Sequence, residues 1–124
     1  MQIIEVKNQL VSTIALIDDE NKILIGKRPV GKVFENLWEF PGGKVKKNET
    51  VEQALIRETK EEINIDISKN CIAPLVFSTY KSVNVNIIIL LFVSRKWNLD
   101  PICKYHTDTC CIRAWYNLYG LSIS

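Results

Sequence analysis

The sequence predicts an α/β fold, a β-sheet with helical cover. Three observations carry this. Ile87 to Val93 is an unbroken apolar run, Ile-Ile-Ile-Leu-Leu-Phe-Val, which fits a strand buried on both faces. Residues 50–63 hold no Gly and no Pro and are rich in Ala, Leu, Glu, Gln, Lys and Arg, all good helix formers. The chain has 124 residues, 47% of them hydrophobic, which suits one domain over 1–124 with a packed core. A sheet covered on both faces needs a second helix, and the C-terminus is the place left for it.

Taken in order, Gln2 to Val6 and Leu10 to Ile17 read as strands, the second rich in β-branched and aliphatic residues. Asp18-Asp19-Glu20-Asn21 is a solvated turn, and Lys22 to Lys27 returns, so 10–27 is expected to be a hairpin. Pro29 and Gly31 open a loop to about Asn36. Leu37 to Phe40 reads as a short strand, with Trp38 expected in the core. Pro41-Gly42-Gly43 is a tight turn whose glycines let backbone approach a ligand. After the helix, Cys71 to Tyr80 and Val83 to Arg95 are strands. Arg113 to Tyr116 is a final strand, and Asn117 to Leu121 the start of a short helix.

The helix carries the chemistry. Asn48 and Thr50 are plausible caps, Glu52 favours the positive end of the macrodipole, and Asn64 tolerates the left-handed closing position. Leu55, Ile56, Thr59 and Ile63 form a strip for a core. Glu58, Glu61 and Glu62 stand at i, i+3 and i+4, within an arc of about 100°. Like charges so placed cost a helix roughly 0.2–0.5 kcal/mol per pair. A solvated acidic face is one explanation. A cation that the acids share is the other, and oxygen-only ligands point to Mg²⁺ or Mn²⁺ rather than zinc. Arg57 is spaced to pair with an acid such as Glu49, holding loop to helix.

Gly43, five residues, Glu49, seven residues, then Arg57-Glu58-Thr59-Lys60-Glu61-Glu62-Ile63-Asn64-Ile65 resembles the Nudix box, Gly-x5-Glu-x7-Arg-Glu-U-x-Glu-Glu-x-Gly-U with U aliphatic. The match spans 43–65 and keeps every charged position. Thr59 replaces an aliphatic and Asn64 a glycine. The resemblance implies an α/β/α sandwich with a mixed sheet, its C-terminal helix short or altered here. It implies Glu58, Glu61 and Glu62 as metal ligands, with a carbonyl from Gly42 or Gly43. Glu58 or Glu61 would be the general base, Glu49 an auxiliary metal contact, and Arg57 an orienting residue. Arg28, Glu39, Phe40, Pro41 and Gly42 would contact substrate as in the MutT-type branch, and Lys44 would touch phosphate. That branch usually has a Glu-Gly-Gln segment and a base-reading Asn near the C-terminus. No match stands here, with Asp108 the nearest acid and Asn117 the nearest amide. Trp115, Tyr116 and Tyr119 are candidates to stack on a base, against the commoner alternative of packing.

The implied function is Mg²⁺-dependent hydrolysis of a nucleoside triphosphate, with 8-oxo-dGTP cut to 8-oxo-dGMP and pyrophosphate. The alternatives are another nucleoside diphosphate derivative or a catalytically silent binding domain. Composition narrows the rest. A net charge of +2 gives no strong field to argue for a nucleic-acid polymer or membrane partner; the resemblance implies a small-molecule nucleotide, and a monomer is expected. Cys71, Cys103, Cys110, Cys111 and the single His106 fit no zinc spacing. Reduced thiols, and an N-terminus without a basic start and apolar run, point to the cytoplasm. No Ser–His pair or Gly-x-Ser-x-Gly elbow offers a nucleophile.

Overall fold

A computed structural model of the chain describes residues 5–27, 37–98 and 112–117, the last six as backbone only. The elements are β1 (Lys7–Leu16), β2 (Lys22–Lys27), β3 (Trp38–Glu39), β4 (Gly42–Lys44), α1 (Val51–Ile63), β5 (Ala73–Lys81), β6 (Val85–Ser94) and β7 (Ile112–Asn117). A four-stranded sheet runs β4-β1-β6-β5 and a three-stranded sheet β3-β2-β7. β1 and β6 are parallel, whereas β4 and β5 pair antiparallel with their neighbours. The sheet is therefore mixed and the fold α/β, as expected.

Helix α1 covers the four-stranded sheet beside β1. Alternation along β1 turns Ser12, Ile14 and Leu16 inward, all fully buried. Leu55 and Ile63 of α1 meet Ile14 and Leu16 in a core completed by Leu24, Ile65, Ile67 and Phe92. Thr59 is also fully buried, and its hydroxyl donates to the Leu55 carbonyl at 2.9 Å. This is how the polar exception in the apolar strip is accommodated.

Several expectations change. Glu5 and Val6 are not in a strand, Gln2 to Ile4 lie outside the described residues, and β1 is one strand from Lys7. The 10–27 hairpin forms no ladder. Its arms touch through one bridge, Ile17 with Ile23, and part into different sheets. Both edges of β1 are taken, one by β6 along its whole length and the other by β4 at Val11, Ser12 and Thr13. The apolar run of β6 is not buried on both faces: most of it is half-buried, and Ile89 is 37% exposed. Among the described residues only α1 is an α-helix, so one face has its cover. Asn117 ends β7 rather than opening a helix. Residues 118–121, and with them any third layer, lie outside the described residues. Trp38 is 42% exposed rather than in the core, because β3 is a two-residue strand at a sheet edge.

Candidate active site

The site is built where β4 lies on the edge of β1. Ser12 pairs with Gly43 and Thr13 with Gly42. Ile14 N–H donates to the Pro41 carbonyl and Val45 N–H to the Leu10 carbonyl, each at 2.9 Å. Antiparallel ladders alternate, so the backbone groups of Gly43 face Ser12 while those of Gly42 turn away from β1. Gly42 has φ 152°, and a Cβ there would overlap the Ser12 carbonyl oxygen. Only glycine makes this bend without strain. A Cβ on Gly43 would lie 2.6 Å from both carboxylate oxygens of Glu58. Gly43 is therefore the floor on which Glu58 rests.

Local sequence sets the helix that brings the acids there. Thr50 caps α1: its hydroxyl accepts from Gln53 N–H at 3.1 Å, and the Gln53 side chain accepts from Thr50 N–H at 2.8 Å. This is a capping box. Asn64 closes the helix in the left-handed region at φ 58°.

Arg57 holds the acids together. Its Nη2 and Nε donate to Glu49 Oε1 and Oε2 at 2.7 and 3.1 Å, a two-pronged pair. Its Nη1 donates to Glu58 Oε1 at 2.9 Å and to Glu61 Oε2 at 3.3 Å, and Nη2 also reaches the Lys44 carbonyl at 3.1 Å. Glu49 Oε1 accepts a further bond from Lys46 N–H at 2.6 Å. Those bonds, the Arg57 pair foremost and the Lys46 N–H next, hold the Glu49 carboxyl down at about 2. The same partner, with Glu58, raises the Arg57 guanidinium above its ordinary value. Glu62 turns to the bend, where its Oε2 accepts from Gly42 N–H at 3.3 Å.

The donor chemistry fits a hard divalent cation. Glu58, Glu61, Glu62 and the outward-turned Gly42 carbonyl are all oxygen donors, and Gly43 leaves room that a side chain would fill. The acids are spread around Arg57 and the bend, and among the described residues no group of three or more His, Cys, Asp or Glu is close enough to hold an ion. The half-exposed Glu61, with 54% of its side chain open, is the least confined of them. Glu49 accepts from Arg57 and from the Lys46 N–H.

Of the other candidates, Glu39 at the end of β3 and Lys44 at the end of β4 are exposed, and between the two strands Phe40 is half-buried and Pro41 buried. Arg28, Asp108 and Tyr119 lie outside the described residues, as do the side chains of Trp115, Tyr116 and Asn117. One site residue escaped the sequence reading. Ser12 is fully buried, and its hydroxyl donates to the Val51 carbonyl at 2.8 Å. Its signal was a hydroxyl at an inward position of an otherwise apolar strand.

Fold and site together define an α/β protein that sets an acid-bearing helix against a glycine bend and gathers the acids on one arginine. The model of the NUDIX domain matches residues 7–116, and the chain belongs to the Nudix family. It is 48% identical over 54 residues to an 8-oxo-dGTP diphosphatase of Proteus vulgaris, covering 44% of this chain and 48% of that protein. Over 52 residues it is 46% identical to a CTP pyrophosphohydrolase of Escherichia coli, 42% of this chain and 38% of that one. An 8-oxo-dGTP diphosphatase of Escherichia coli is 30% identical over 110 residues, 85% of this chain and 77% of the relative. The two shorter matches thus span half or less of the relatives' length. In fold, the chain resembles a MutT Nudix hydrolase from Burkholderia pseudomallei, with a TM-score of 0.79 at 23% identity over 93% of this chain and 87% of that one.

Proposed function

We propose that the chain is a divalent-metal-dependent phosphoanhydride hydrolase that cuts a nucleoside triphosphate to a monophosphate and pyrophosphate, with 8-oxo-dGTP as substrate. The observation that carries this is the Arg57 cluster, which keeps Glu58 and Glu61 together beside the glycine bend. Clustered acids are costly unless a charge offsets them. The relatives named 8-oxo-dGTP diphosphatase support the substrate.

Glu58, Glu61, Glu62 and the Gly42 carbonyl would hold the metal, Mg²⁺ or Mn²⁺. When bound it screens the phosphates and makes water a better nucleophile. The chain's own residues do the rest. Water oxygen attacks phosphorus, the bridging P–O bond breaks, and pyrophosphate leaves. Glu58 is the more firmly held of the two candidate bases: Arg57 Nη1 bonds it at 2.9 Å against 3.3 Å for Glu61, and its side chain is 22% exposed against 54%. Arg57 orients it and is itself fixed by Glu49. Lys44 is exposed at the end of β4, where an ammonium would meet phosphate. Phe40, Glu39 and Arg28 would border the base. One domain over 1–124 acting as a cytoplasmic monomer, without nucleic-acid or membrane partners, belongs to the same reading. Among the described residues no helix is long and apolar enough to cross a membrane.

The test is pyrophosphate release with Mg²⁺ from 8-oxo-dGTP, dGTP, CTP and a 5′-triphosphate RNA. Preference for 8-oxo-dGTP over dGTP is expected. The name of the CTP-cleaving relative makes CTP the second reading, and much faster turnover of CTP would install it. No turnover of any of them would remove the triphosphate substrate and leave another nucleoside diphosphate derivative.

A further inference from the structure

We propose that Ser12 is a positioning residue for the acid cluster, the pin that fixes where along its axis α1 meets the glycine bend. This rests on the reading of that cluster as a metal site.

The geometry is specific. Ser12 and Gly43 are directly paired across β1 and β4, so their side-chain positions lie on one face of the sheet. Both touch α1. The Ser12 hydroxyl donates to the Val51 carbonyl at 2.8 Å, and the Glu58 carboxylate lies over Gly43. Val51 and Glu58 are seven residues apart, nearly two turns, and so share a stripe of the helix about 10.5 Å long. Helix carbonyls point toward the C-terminus, whereas side chains lean back toward the N-terminus. The Val51 carbonyl and the Glu58 side chain therefore reach toward each other, and the Ser12–Gly43 pair sits between them.

Arg57 and Glu62 also tie α1 to β4, through the Lys44 carbonyl and the Gly42 N–H, but by long side chains, whereas Ser12 bonds the backbone of the helix itself. The Gly43 contact limits how close Glu58 comes. The other contacts of α1 with β1, through Leu55 and Ile63, are apolar and non-directional. A slip by one residue moves the helix about 1.5 Å and turns it ~100°, which would take Glu58 off Gly43 and Glu62 off the Gly42 N–H. The Ser12 bond is directional and opposes that slip. Among the described residues the other fully buried hydroxyl, Thr59, bonds back within its own helix and ties α1 to nothing else.

The experiment is titration of the metal-free protein with Mn²⁺, followed by calorimetry and the Mn²⁺ resonance signal, with no nucleotide present. Wild type, Ser12→Ala, Ser12→Thr and Glu58→Gln are compared, each checked for fold by circular dichroism. Ser12→Ala should weaken Mn²⁺ binding about tenfold, the low end of the loss seen when a group supporting metal ligands is removed. Ser12→Thr keeps the hydroxyl and should recover most of it, which a role in packing alone would not produce. Ser12→Ala binding as wild type does, while Glu58→Gln loses the ion, overturns the role of Ser12 and leaves the site standing. Wild type taking up no ion overturns the metal reading itself. Should Ser12→Ala not fold, Ser12→Cys, a weak donor of similar size, takes its place, and undiminished binding there overturns the proposal equally.

Discussion

Two flanks of the same four-stranded sheet are built differently. At the β4–β1 edge, polar groups are tied to named partners: Arg57 to Glu49, Glu58, Glu61 and the Lys44 carbonyl, Glu62 to Gly42, and Ser12 to Val51. At the other edge, every residue of β5 is exposed, including Leu75, Val76, Phe77 and Tyr80. The first flank is held by directional bonds, most of them within residues 42–62 and one, Ser12 to Val51, between residues 39 apart in sequence. The second offers apolar surface that α1 does not cover. Charge is costly to leave loose near a core and is paired, whereas apolar side chains at a surface cost little one by one. The contrast suggests that precision in this chain is concentrated around the bend.

Substitutions break or sharpen that contrast. The largest effect is expected at Leu55, which joins α1 to the core. Leu55→Ala should cost about 2–5 kcal/mol in urea unfolding, the usual range for a buried leucine. Next come the acids. Glu58→Gln and Glu61→Gln should each raise the barrier to pyrophosphate release by ~2–4 kcal/mol, the scale of losing one electrostatic stabiliser, without a matching loss of melting temperature. Turnover unchanged in both would mean that the helix face is only solvated acid.

A smaller effect follows pH. The folded Glu49 carboxyl sits at about 2, below its ordinary 4.5. Its contribution to stability is therefore whole above about 4.5 and is lost as pH falls toward 2. Glu49→Gln should melt lower than wild type at pH 7, and the gap should close across that acid window. A gap that persists at pH 2 would place the effect outside the Arg57 pair. Smallest of all should be Phe77→Ser on β5, within about 0.5 kcal/mol of wild type as for other surface changes. A large loss there would show that the flank is covered in solution.

The helix and its caps were more legible than the pairing of the strands. Thr50, Glu58, Glu61, Glu62 and Asn64 form one local stretch, and helix periodicity and capping chemistry fix their relative places without help from the rest of the chain. The pairing of Arg57 with Glu49 followed from the same stretch. Legibility failed where a residue's neighbours are remote. Lys22 to Lys27 reads as the return arm of a hairpin, yet β2 joins β7, about ninety residues on, while β1 is taken by β6. The aliphatic run of β6 reads as buried on both faces, but hydrophobicity alone does not say whether a layer exists to cover each face. Trp38 looked like core for the same reason.

The sequence by itself determined the helix, its caps, the acids on its face and the glycines before it, since all depend on contacts within about twenty residues. Only the tertiary structure decided that β4 lies on β1 with Ser12 opposite Gly43, that Gly42 rather than Gly43 turns its backbone outward, and that Ser12 reaches the first turn of the helix. Strand register has a period of two, and a slip of one residue inverts every face. That choice is made by the packing of the whole sheet, which no single stretch of the chain contains.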